Sequence, residues 1–97
     1  MLFVILMNFT EQGVRNVKGT VERAKAFKEM AESKYDVKVK EILWTLGKYD
    51  LVAITDAPNE EKATALALSL GILGNVKTQT MRAFTAQEMS SIIAKIA

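Results

Sequence analysis

A phenol and a carboxylate stand side by side at Tyr49 and Asp50, with the indole of Trp44 just upstream and Gly47 between them. A tyrosine hydroxyl or an aspartate can act as general acid or base, and aromatic rings at a strand end can wall a small-molecule pocket. Farther along, Thr78, Thr80 and Arg82 alternate, so in an extended chain their hydroxyls and guanidinium share one face. That set suits an anionic ligand. Glu41 is the acid that interrupts a second strand-like run. Each residue also has a plainer role. Asp50 can accept N–H groups of its own turn, Trp44 and Tyr49 can pack with one polar atom satisfied, and Glu41 and Arg82 can form an ion pair across or along a sheet.

The missing residue types narrow the chemistry further. There is no cysteine and no histidine, which excludes disulfides, thiol nucleophiles, thiolate metal sites and serine–histidine triads. Any proton transfer falls to Asp, Glu, Lys or Tyr, and no cofactor or metal is expected. Thirteen basic residues against eleven acidic ones leave a net charge of +2, too mild to imply nucleic acid. Leu51 to Thr55 also lacks the aromatic residues on which RNA-recognition sheets stack bases. Met1 to Met7 is apolar but too short to span a bilayer, with no basic leader or small-residue cleavage site. No membrane association is expected, and a cytoplasmic location is.

The elements that must hold these residues follow from spacing. Leu2 to Asn8 reads as a strand buried on both faces, central in its sheet. Thr10 can cap a loop or single helical turn, and Gly13 and Gly19 interrupt helix, so the main helix is placed at Thr20 to Ser33 with Thr20 as its N-cap. Val21, Ala24, Phe27 and Ala31 form its buried face. Arg23, Lys25, Lys28, Glu29 and Glu32 fall mainly on a solvated one, with Lys25/Glu29 and Lys28/Glu32 as pairs four apart. Val37 to Leu46 reads as a strand that starts exposed and finishes covered, joined by a hairpin at Gly47 to a strand at Leu51 to Thr55. Asn59 caps a helix to about Leu73 whose Ala63, Leu66, Leu68, Leu70 and Ile72 leave almost no polar face, with Gly74 as its left-handed terminus. Val76 to Phe84 alternates as a strand. Thr85-Ala86-Gln87-Glu88 is a capping box opening a last helix with an apolar stripe of Met89, Ile92, Ile93 and Ile96.

The order β-α-β-β-α-β plus a C-terminal helix is an α+β, ferredoxin-like arrangement with a four-stranded antiparallel sheet and two helices on one face. Its other face must be covered by the last helix or by a second subunit. With 49% hydrophobic residues in 97, residues 1–97 make one small domain to which self-association is a natural supplement.

Trp44-Thr45-Leu46-Gly47-Lys48-Tyr49-Asp50, followed by Leu70-Gly71-Ile72-Leu73-Gly74-Asn75-Val76 and Met81-Arg82-Ala83-Phe84-Thr85, resembles the GYD-domain family from end to end. The resemblance implies a ferredoxin-like fold of the dimeric α/β-barrel group and defines no catalytic set. Two functions are therefore expected for comparison. The first is a non-catalytic homo-oligomer binding a small, anionic molecule or a protein partner, with Trp44, Tyr49, Asp50, Arg82, Glu41 and Thr80 as ligand residues. The second is a cofactor-independent oxygenase- or isomerase-like enzyme using Tyr49 or Asp50 as acid or base and Arg82 to stabilise an enolate or carboxylate.

Overall fold

Alternation in the apolar strands and a three-to-four spacing in the helices build two layers, seen in a computed structural model that describes Met1–Ala97. The order is β1 (Leu2–Phe9), α1 (Glu11–Arg15), a short 3-10 turn (Val17–Gly19), α2 (Thr20–Tyr35), β2 (Lys38–Trp44), β3 (Leu51–Asp56), α3 (Glu60–Leu73), β4 (Val76–Ala83) and α4 (Ala86–Ile93). The sheet is antiparallel throughout, in the order β2-β3-β1-β4, so β1 is central. This is the expected α+β, ferredoxin-like fold with an added C-terminal helix. No helix is long and apolar enough to cross a membrane.

Register divides the sheet into two faces. Phe3, Ile5 and Met7 of β1 lie beside Thr55, Ala53 and Leu51 of β3. All six are buried, under Phe27 and Ala31 of α2 and Ala63, Leu66 and Leu70 of α3. The alternate row of β1, with Leu2, Val4 and Leu6, is only half-buried, because no element of the chain covers it. The expectation of a strand buried on both faces is thus met on one.

Several local expectations change for physical reasons. Thr10 does cap α1, accepting the Gly13 N–H, but Gly13 lies inside α1 rather than ending it. A Cβ there would sit 2.0 Å from the Asn75 carbonyl oxygen, so glycine serves a close approach between α1 and the start of β4. Helix α2 begins after Gly19, whose position carries no side-chain cap. The Thr20 hydroxyl is instead the acceptor for Trp44. On α2 the ion pair that forms is Lys25–Glu22 at 3.7 Å, in place of the two pairs four apart. Val21, expected on the buried stripe, is exposed.

Strand β2 runs opposite to expectation: Val37 and Val39 at its start are buried, whereas Leu43, Trp44 and Leu46 at its end are exposed. A bulge between Val39 and Glu41 shifts the register, so Leu43 falls on the open face, while Trp44 falls on the helix side, where the first residue of α2 meets only its indole N–H. On α3, Asn59 and Gly74 cap as expected, Gly74 with φ 83°. The far side of this helix, Leu68, Ile72 and Leu73, stays exposed. Helix α4 carries its full capping box at Thr85 and Glu88 but packs along no other element. The open sheet face is therefore not covered by the last helix.

Candidate functional site

The Trp44–Asp50 turn is stapled to the end of the central strand. Gly47 takes φ 128°, a conformation that favours glycine. Around it the Thr45 N–H donates to the Asp50 carbonyl at 2.8 Å, and the Thr45 hydroxyl donates to the Tyr49 carbonyl at 2.6 Å. The Asn8 amide donates to the Lys48 carbonyl at 2.7 Å. Asp50 donates its own N–H to the Met7 carbonyl at 2.9 Å and accepts the Phe9 N–H on Oδ2 at 2.8 Å. The reason lies in strand lengths. β1 continues to Phe9 against β4, while its pairing with β3 ends at Met7 and Leu51, so the Asp50 carboxylate takes the ladder position that β3 leaves empty.

The two aromatic residues of the turn point to different sides. Trp44 lies opposite Leu51 in the core-side row, and its indole N–H donates to Thr20 Oγ1 at 3.1 Å. Tyr49 donates its hydroxyl to Gln79 Oε1 at 2.9 Å, and Gln79 belongs to the open-face row beside Leu6. The Lys48 ammonium stands 5.8 Å from the Tyr49 ring centre. Trp44 and Tyr49 do not wall one pocket.

Arg82 and Glu41 are on opposite edge strands and do not pair. The Arg82 guanidinium donates to the carbonyls of Leu2, at 3.2 Å, and Ala83, and meets Glu88 at 3.5 Å. It also lies 4.5 Å from the Phe84 ring centre and 5.6 Å from that of Phe3. Its work is to tie the start of α4 to the sheet. Thr80 shares its row, exposed, opposite Ile5, and Glu41 is exposed beside the bulge. The Glu88 carboxyl is held below its ordinary range, chiefly by the N–H of Thr85 and then by the Thr85 hydroxyl and Arg82.

One feature escaped the sequence reading. Between α2, α3 and the core-side row of the sheet runs a cleft of about 530 Å³ lined by Met7, Phe9, Phe27, Met30, Leu70 and Val76, with Thr20, Arg23 and Asn75 among its polar lining. Arg23 donates through Nη1 to the Asn16 carbonyl at 2.6 Å, while Nη2 is shut off from solvent with no partner. Reading Arg23 as part of a solvated face missed this. The signal was its spacing: Arg23, Phe27 and Met30 follow one another by four and three, the same stripe of the helix.

Among known proteins, the chain is similar to the "Glutamine synthetase and cystathionine beta-lyase binding protein" of Thermus thermophilus, 28% identical over 87 residues that cover 90% of this chain and 92% of that one. The family model of the GYD domain matches residues 3–93, taking in the stapled turn, the α3–β4 junction and the anchoring arginine. The chain belongs to the GYD family.

Proposed function

We propose that this chain is a non-catalytic binding module that assembles with a second copy of itself across the open sheet face and docks onto an enzyme partner. The observation that carries the reading is the open face itself. Leu2, Val4 and Leu6 of β1, Val52 and Ile54 of β3, Leu43 of β2 and Met81 of β4 share one row set by register, and nothing in the chain covers them. Lys38, Glu41 and Lys77 stand toward its margins. An uncharged centre with a polar rim is the composition of a protein interface, and an isologous pair lets the same patch serve both copies.

The name of the Thermus relative supports the second half of the reading: it binds glutamine synthetase and cystathionine β-lyase, and a partner of that kind is the one expected here. In this reading Asp50 and Arg82 position the turn and α4, Tyr49 and Leu43 border the face used for assembly, and Trp44 and the exposed Leu46 stand outside it, free for the enzyme partner. Sedimentation equilibrium tests the assembly: a dimer at micromolar concentration is expected, and a monomer throughout the micromolar range would refute it. Calorimetric titration with glutamine synthetase or cystathionine β-lyase of the same source tests the partner. Saturable binding is expected to one of them, and heats of dilution with both would remove that half.

A further inference from the structure

We infer that the cleft between α2, α3 and the sheet is a binding site for an amphipathic monocarboxylate, an elongated apolar body carrying one carboxylate head that sits against Arg23. This is independent of the assembly proposed above, which uses the opposite face of the sheet.

Size and lining set the class of ligand. At about 530 Å³ the cleft falls within the range of small-molecule sites, roughly 300–1,000 Å³. Its α2 wall runs from Thr20 through Arg23, Phe27 and Met30 to Lys34, which at the helical rise is roughly 20 Å of length. That suits an extended body rather than a compact ring. Phe9, Phe27, Met30, Leu70 and Val76 offer that body only apolar contact.

The head group follows from what is unsatisfied. A guanidinium nitrogen buried without a partner is costly, and an anionic acceptor removes the cost. Arg23 lines the cleft, with Nη1 donating to the Asn16 carbonyl and Nη2 beneath the surface without a partner, so a head group meets Nη2 once the side chain swings outward. Thr20 Oγ1 accepts the Trp44 indole N–H, which leaves its hydroxyl proton free to donate. Two donors match the two oxygens of a carboxylate. Glu29 also lines the cleft, between Arg23 and Lys34 on α2, and repels an anionic head from the middle of the wall. Lys34 is an exposed cation already served by water, so the unpartnered Nη2 and the Thr20 hydroxyl favour the Arg23 end. The single tryptophan, bonded to Thr20, reports on the site.

Sodium decanoate, decanol and decyltrimethylammonium bromide are the probes, titrated calorimetrically into the intact chain, with amide chemical shifts followed by NMR. Decanoate is expected to bind saturably at one per chain, about tenfold or more tighter than decanol, the scale of one charge-assisted hydrogen bond. Decyltrimethylammonium should be weaker than both. Shifts should centre on Arg23, Phe27, Met30, Leu70 and Val76, with a change in Trp44 fluorescence. Arg23→Met should bring decanoate to the level of decanol. The inference is overturned by no saturable decanoate binding at millimolar concentration, by equal affinity for decanoate and decanol, or by shifts confined to Val4, Val52 and Met81 on the open face. Should Arg23→Met fail to fold by circular dichroism, the head-group series and shift map on the unaltered chain decide by the same criteria.

Discussion

Asp50 shows how a residue that could do acid–base chemistry is put to structural use. Its carboxylate accepts the Phe9 N–H at 2.8 Å, a strand donor with no other neighbour on that side. Asp50→Ala should therefore lower stability by about 1–3 kcal/mol, while Asp50→Asn, which keeps an acceptor oxygen, should lose less. Thermal melts of both variants check this; a drop in Tm of about 4–8 °C per kcal/mol is the expected scale for a domain this small. Equal melting of the alanine variant and the parent would show that water serves Phe9 as well. Gly13 carries the other residue-scale prediction. The 2.0 Å approach of a Cβ to the Asn75 carbonyl means Gly13→Ala cannot be accommodated without backbone movement. It should cost about 1–3 kcal/mol by overpacking, although alanine is the better helix former by ~1 kcal/mol. A stabilised Gly13→Ala protein in urea unfolding would refute the close packing of α1 on β4.

At the scale of elements, α4 is the one held by its own terminus alone. Its capping box closes through Thr85 and Glu88, and Arg82 links Glu88 back to the sheet at 3.5 Å. Glu88 titrates below its ordinary value because the folded state donates hydrogen bonds to its charged form. A carboxylate with a lowered folded value contributes stability that is fully present above its unfolded value, about 4.3, and is lost as pH falls through the lower folded one. Amide exchange in α4 should hence be steady from about pH 7 to 5, after allowing for intrinsic rates, and rise relative to α2 below about pH 4. Glu88→Ala should show the frayed behaviour already at pH 7. Exchange in α4 that tracks α2 down to pH 3 would mean that something other than the box holds it.

Over the whole molecule, the Cα radius of gyration is 14.5 Å, against about 12–13 Å for a compact chain of this length. Overall extents of 51 × 31 × 18 Å fit a two-layer body with a helix standing away from it. Surface left uncovered on that scale is what the proposed dimer would bury. Met81→Lys places a charge in the centre of the open face at a residue that is 41% exposed, so the cost within one chain is small while a charge facing its symmetry mate is not. Sedimentation should report a shift from dimer toward monomer by at least tenfold in dissociation constant, about 1.4 kcal/mol. An unchanged dimer would move the interface elsewhere.

Much of this architecture was legible in residue types and periods. The GYD turn, the Thr85 capping box, the Asn59 and Gly74 caps and the βαββαβ order depend on contacts a few residues apart, and local chemistry prints those directly in sequence. Long-range placement was not legible in the same way. Which side of the sheet Trp44 takes depends on the bulge in β2, and which side Tyr49 takes on its reach to Gln79; the partner of Arg82 depends on how α4 leaves β4; and Arg23 reaches a cleft only because α2 and α3 stand apart over the sheet. The stretch from Trp44 to Asp50 by itself determined that the chain reverses there. Only the tertiary structure decided that its carboxylate completes a neighbouring strand, since that donor lies 41 residues away in the chain and becomes a neighbour through sheet pairing alone.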